Sequence, residues 1–393
     1  MMIALFWLMA LLLFALATRI GSRFGLIPIV SQLLLATFGL PLLMLFWIEP
    51  HWQLSGAQLV APVWLKNLYG LSFALLLGHI LSDVIDLRLD RQSLKIALPS
   101  FAIPFACGLA TAVWLLPAQP WLSSLAVGLL FAITAIPVLY LYLRHIDYPP
   151  PATRRLVQTA ILIDLGCWTL FGVAQGSLHL SSLLLPLAGA CLPLLLHGLG
   201  LGLRQPLLHS LGFFGLLVVA EHYKLNALIF GIGYLLCMAA LKVPLVLPLK
   251  AAWMSRLQTF IAIPLILTFG IVQINVHSAM DSLGWVQLGA LLLLPIASKL
   301  LGNWLGLGWA GASFKGASRW RESLLLNIRG LSEIVFLNLL LQQQLISPAL
   351  YFALMLMGLI ATLMPALAGL HRTPLVPSNL NIAEPARSPS ANS

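Results

Sequence analysis

Asn327-Ile-Arg-Gly-Leu-Ser-Glu-Ile-Val-Phe-Leu-Asn338 lies inside a run that is otherwise hydrophobic from Ser323 to Leu341, yet it carries Arg329 and Glu333. A charged side chain at the centre of a bilayer costs about 2.5–3.5 kcal/mol on insertion scales, so both charges need compensation. They stand four residues apart, share one face of a helix and partly neutralise each other. Gly330, beside the arginine, marks a place for the helix to break. Half-helix ends held inside a membrane protein are where transporters bind ions. Taken alone, the stretch favours a static ion pair stapling two helices over an ion site. The rest of the chain has to decide.

The composition settles the class. The chain is 60% hydrophobic and 8% charged, against about 25% charged residues in a soluble domain. So few charges cannot cover the surface of a soluble protein of 393 residues. The expectation is an all-α polytopic membrane protein. Cys107, Cys167, Cys191 and Cys237 fall in apolar segments without CxxC spacing and read as small buried hydrophobes. The first apolar run starts at Met1 without a basic flank or a small-residue cleavage site, so it reads as a retained first helix.

Runs of roughly 17–25 apolar residues, the length a bilayer requires, divide the chain into about thirteen helices. They lie near 2–18, 26–48, 67–83, 96–116, 123–143, 156–176, 181–203, 207–221, 225–248, 257–276, 284–310, 323–344 and 348–370. The connections test this division independently. With the N-terminus outside, one face holds Arg19, Arg23, Arg88, Arg91, Lys95, Arg144, Arg154, Arg155, Arg204, Lys250, Arg256, Lys315, Arg319, Arg321, Arg372 and Arg387. The other holds Lys66 and Lys224. Such a bias is what the positive-inside rule demands, and a wrong helix count would scramble it. The net charge of +10 is therefore a topology signal and not a sign of nucleic-acid binding. The expected localisation is the cell (inner or plasma) membrane, with the C-terminus cytoplasmic. Residues 1–371 form the transmembrane domain, and the Pro-, Ser- and Asn-rich 372–393 reads as a disordered cytoplasmic tail.

Five charged residues remain within the spans. Lys242 lies near a helix end and can snorkel. Arg329 and Glu333 satisfy each other, which leaves Asp164 and Lys299, from distant helices, as partners by burial. Pro137, in Ala132-Ile-Thr-Ala-Ile-Pro-Val-Leu139, removes a helical hydrogen bond and frees carbonyls upstream. Irregular backbone of this kind is tolerated where it lines a cavity, and Thr134 offers an oxygen ligand there, though that span taken alone favours a simple proline kink. The groups 96–176 and 284–370 each place an interrupted helix second, and the helix count between them makes their orientations opposite. That is the inverted-repeat plan of secondary transporters, with interrupted helices crossing at the midplane.

The same residues resemble a known family, the monovalent cation:proton antiporters, in the branch with bacterial sodium/proton and potassium-efflux antiporters and plant cation/proton exchangers. Asn327 to Asn338 is similar to the family's Asn-Thr-Arg-Gly-Leu-x-Glu-Leu-x-x-Leu-Asn. Lys299-Leu-Leu-Gly302 resembles its Lys-x-x-Gly, residues 132–139 its Thr-Ala-Phe-Pro-Val-Leu, and Phe24-Gly-Leu-Ile-Pro-Ile-Val30 the opening of its second helix. The similarity runs from about 15 to 368. It implies that the family's paired carboxylates fall on Ile163 and Asp164, so the essential aspartate is kept and the first position is apolar. Gln32 stands where Glu is common and Ala36 where Gly is common. A homodimer is expected from the family only.

The reading that follows is exchange of Na+ or K+ for protons by alternating access. Asp164 is the shared proton and cation site, with Thr134 and Lys299 beside it. Arg329 and Glu333 form a structural intramembrane pair, Pro137, Asn327 and Gly330 shape the breaks, and Gly302 with Gly306 suits close helix packing. The transported cation is the only metal expected, held by Asp164 and Thr134. No cofactor is called for, and an enzyme is not expected: there is no HExxH, GxSxG or nucleotide loop, and His197 reads as a packed helix histidine. Two other classes stay open, a same-fold sodium-coupled organic-anion symporter or passive conductor, and a scaffold that has lost transport.

Overall fold

The computed structural model describes residues 2–24, 26–82, 90–115, 120–176, 180–199, 206–222, 227–243, 245, 251–274, 284–311 and 316–368. The tail at 372–393 lies outside the described residues, as do Arg88, Arg204, Lys224, Lys250 and Lys315 of the charge bias. Among the described residues all regular structure is helical.

The helices are α1 (Met2–Arg23), α2 (Pro28–Trp52), α3 (Val63–Ser82), α4 (Arg91–Leu115), α5 (Trp121–Ala132), α6 (Ile136–His145), α7 (Pro150–Gly176) and α8 (Leu180–Ala190). They continue as α9 (Leu192–Gly198), α10 (Pro206–His222), α11 (Ala227–Ala240), α12 (Trp253–Val272), α13 (Trp285–Ala310), α14 (Gly316–Leu326), α15 (Leu331–Gln342) and α16 (Pro348–Leu367). Among the described residues, leaving aside the short helix Gly56–Val60 and counting α5–α6, α8–α9 and α14–α15 as one interrupted passage each gives thirteen, in the order the apolar runs dictate. Among the described residues seven helices are long and apolar enough to cross a membrane, and the remaining passages are shorter or broken. The chain is a polytopic membrane protein. The wide π turns of α2 and α12 contain or adjoin prolines (Pro41, Pro50 and Pro264), which have no N–H to donate to a regular ladder.

Three local expectations need correction. The helix expected over 225–248 ends at Ala240. Lys242 takes a left-handed φ of 57° and the Val243 N–H returns to the Met238 carbonyl at 3.0 Å, a Schellman-type stop that leaves Lys242 exposed beyond the helix. His197 is not packed: it is exposed in the last turn of α9, at the carbonyl end of the helix dipole. Cys191 is exposed as well, at the join between α8 and α9.

Helices α4 and α13, the fourth and eleventh passages, pack against each other along an extended contact. Glycine permits the contact. A Cβ on Gly302 would lie 2.7 Å from the Pro99 carbonyl oxygen, and one on Gly306 would lie 2.5 Å from that of Ile96. Both obstacles are backbone and cannot turn aside. Gly302→Ala is therefore expected to destabilise the protein by about 1–3 kcal/mol, the usual cost of overpacking. Thermal unfolding of the detergent-solubilised variant checks this, and an unchanged midpoint would contradict the packing.

Candidate functional site

The first break follows α5. Ile133 leaves the helix at ψ 150° and Ala135 is extended before α6 begins, with Pro137 in its first turn. Proline is tolerated there because the first N–H groups of a helix have no internal acceptor anyway. Pro137 thus starts a helix; the interruption itself occupies Ile133 to Ala135. The carbonyls of the last turn of α5 lose their helical donors and carry the negative end of its dipole.

Two buried cations fill that end. Arg329 donates to the Leu130 carbonyl, and at 2.7 Å to that of Phe131. Lys299 donates to the Ala132 carbonyl, and at 3.2 Å to that of Ser100 on α4. Asp164, on α7, accepts the Thr134 N–H at 2.9 Å from within the same break. Asp164 and Lys299 are thus brought to the same α5–α6 break, where each has a main-chain partner, and the two interact electrostatically within one cluster that also holds Arg329 and Glu333. All four are essentially inaccessible: Asp164 is 2% exposed, Lys299 0%, Arg329 1% and Glu333 3%.

The second break, Asn327 to Gly330, separates α14 from α15 and crosses the first. The Ala135 N–H donates to the Ile328 carbonyl at 3.2 Å, and a Cβ on Gly330 would meet Val138 Cγ2 at 2.7 Å. The stiff β-branched valine makes this approach specific to glycine. Arg329 also contacts Glu333, in the first turn of α15, at 3.2 Å. Its own carbonyl accepts Thr362 Oγ1 of α16 at 2.6 Å. Asn327 does not cap α15: its Nδ2 faces Met364 Sδ at 3.8 Å, and the cap position is Gly330.

Among the described residues several buried oxygens near the crossing make no hydrogen bond: Thr134 Oγ1, Asn327 Oδ1, Asn303 Oδ1 and Ser332 Oγ. Thr134 therefore reaches Asp164 through its backbone while its hydroxyl is unengaged. Ile163, beside Asp164, is buried and apolar.

Two further polar positions were not anticipated. Asn303, one turn beyond Lys299 on α13, donates to the Ser323 carbonyl at 3.0 Å. Its four-residue spacing from Lys299 was the available signal. Glu322 lies just outside the apolar run at 323–344, yet it is 2% exposed. Arg155 Nη2 reaches both of its oxygens, at 2.8 and 2.9 Å, and Tyr148 donates to Oε1 at 3.2 Å. Burial, reinforced by Glu322, pushes the Tyr148 phenol up and keeps it a donor. Tyr148 also lines a cavity of about 560 Å³ with Tyr140, Arg144, Arg154, Gln158 and Ile161. Asp164 follows Ile161 by one turn on the same face of α7.

No protein-family model and no curated protein matches the chain. Among solved structures it is similar to the sodium proton antiporter MjNhaP1 from Methanocaldococcus jannaschii at pH 8, at 16% identity and a TM-score of 0.57. The match covers 94% of this chain and 98% of that one. At that identity the likeness shows a shared fold.

The partners of Arg329 and Glu333 are unequal, and so are the expected effects of removing them. Arg329→Met strips two helix-end carbonyls of their donor and leaves Glu333 without its ion-pair partner, at an expected cost of about 3–5 kcal/mol. Glu333→Gln leaves Arg329 its carbonyls and is expected to cost less. Thermal stability of the two purified variants checks the order, and the reverse order would contradict the geometry.

Proposed function

We propose that the chain exchanges a monovalent cation for protons across the membrane, with Asp164 as the shared binding site. The observation that carries this reading is a buried carboxylate held at the crossing of two helix breaks, beside the unengaged Thr134 hydroxyl. The sodium proton antiporter that shares the fold favours sodium as the first cation to test, with potassium as the alternative.

The mechanism is competition for one negative charge. Burial disfavours an uncompensated carboxylate, so Asp164 takes a proton, leans on the Lys299 ammonium or binds a cation. Hard cations prefer oxygen ligands, and Asp164, Thr134 Oγ1 and main-chain carbonyls of the break supply them. The cavity along α7 gives access from the arginine-bearing face, which the charge bias assigns to the cytoplasm. Rocking of the two repeats against the other helices would expose the loaded site to each side in turn. A site that crosses only when loaded enforces exchange. With Ile163 in place of a second carboxylate, stoichiometry rests on whether Lys299 gives up its proton as well. Arg329, which caps α5 and engages Glu333, holds the breaks together.

Proteoliposomes carrying an internal pH dye test the proposal. Sodium added outside is expected to evoke proton movement in the wild type. Asp164→Asn, which keeps an oxygen for the Thr134 N–H, is expected to abolish it without loss of the folded protein. Proton movement that persists in Asp164→Asn would reject the site, and its absence from the wild type would reject the exchange.

A further inference from the structure

The cavity between α6 and the start of α7 carries charges that cation exchange does not use. Arg144, in the last turn of α6, and Arg154, in the second turn of α7, both line it and both are exposed. Among the described residues neither makes an ion pair or a side-chain hydrogen bond, although Asp147 lines the same cavity. Gln158 stands one turn beyond Arg154 on the same face of α7. It is 9% exposed, lines the cavity, and its amide makes no hydrogen bond among the described residues. A buried amide without a partner is costly, so this one calls for a ligand or a water inside the cavity.

The lining selects the class of ligand. Guanidinium groups present forked N–H donors that match the paired oxygens of a phosphate, and the Gln158 amide adds N–H donors at depth. Asp147 offsets one of the two arginines, so the lining stays net positive. The positive end of the α7 dipole adds to it. Pro150 and Pro151 have no N–H, however, and the Thr153 N–H goes to the Pro149 carbonyl at 2.9 Å. Side chains therefore have to hold the ligand. The volume of about 560 Å³ falls in the range of small-ligand sites, roughly 300–1,000 Å³. Leu143, Val157 and Ile161 complete the wall, which suits a charged group with an apolar body. Basic pockets between transmembrane helices are where anionic lipid headgroups bind.

We propose that this cavity binds a phosphate group, held by Arg144 and Arg154 with Gln158 at its deep end, carried by an anionic lipid or free in solution. On the exchange reading above, an anion seated there also screens the two guanidinium groups from an approaching cation.

The test uses the purified full chain with N-methylglucamine as the sole added cation, so that sodium and potassium play no part. Thermal midpoints are followed against inorganic phosphate in detergent, with ionic strength held constant by chloride. They are also measured in nanodiscs of phosphatidylcholine alone and of a three-to-one mixture with phosphatidylglycerol. Stabilisation of the wild type is expected; phosphate acting alone assigns the site to a soluble ligand, and phosphatidylglycerol acting alone assigns it to a lipid. Arg144→Gln combined with Arg154→Gln changes two exposed positions and spares the packed interior. It is expected to raise the half-saturating phosphate concentration about tenfold or more and to remove the preference for phosphatidylglycerol. Gln158→Leu is expected to bind severalfold more weakly, and Asp147→Asn, which removes the opposing charge, more tightly. Arg19→Gln, an exposed arginine outside the cavity, is expected to match the wild type. A wild type stabilised by neither probe would overturn the site. So would wild-type affinity in the double variant or in Gln158→Leu, weaker binding in Asp147→Asn, or an equal loss in Arg19→Gln. None of these results bears on whether Asp164 exchanges a cation for a proton.

Discussion

The end of α5 is the point on which the structure depends. A helix that stops inside a hydrophobic slab exposes carbonyls that water would otherwise satisfy, and nothing apolar can replace it. Arg329 takes the carbonyls of Leu130 and Phe131, and Lys299 takes that of Ala132. Each cation is stabilised by the dipole it caps, and each makes the interruption affordable. The break in turn presents the Thr134 N–H to Asp164. Charge and irregular backbone are mutually compensating here, so neither is stable without the other.

That mutual dependence orders the rest of the fold. Arg329 comes from the second break, so the two interruptions are joined by side chain as well as by the hydrogen bond from Ala135 to Ile328. Lys299 comes from α13, and its reach to Ser100 on α4 requires the close approach that Gly302 and Gly306 allow. Glu333 sits in the first turn of α15, where a helix dipole favours an acid. Asp164, the acid proposed to carry cargo, lies beside the Thr134 hydroxyl, which makes no hydrogen bond among the described residues.

The sequence made the outline legible because lipid imposes simple rules. Apolar run lengths and the placement of arginines yield thirteen passages, and the charged stretch at Asn327–Asn338 marks the second break. What stayed hidden has one physical origin: a sequence names side chains, whereas the groups that bind Lys299 and Arg329 are carbonyls of Leu130, Phe131 and Ala132. Elimination pairs Asp164 with Lys299 and leaves out the main-chain groups that also bind both. Pro137 locates the first break but misstates its form, since proline opens α6 and does not kink a continuous helix. Glu322 escaped notice because it falls one residue outside an apolar run, and its burial depends on Arg155 and Tyr148 from a distant segment. Asn303 lies in an apolar helix where a lone amide is unremarkable until its turn-by-turn alignment with Lys299 and its contact with α14 are known.

The proposed exchange requires sodium and protons to compete for the negative charge of Asp164. Calorimetric titration of the purified protein with sodium, in buffers of different ionisation enthalpy, measures the protons released per cation bound. Release of at least one proton per sodium is expected, with binding and release lost together in Asp164→Asn. Sodium binding that releases no proton would contradict it.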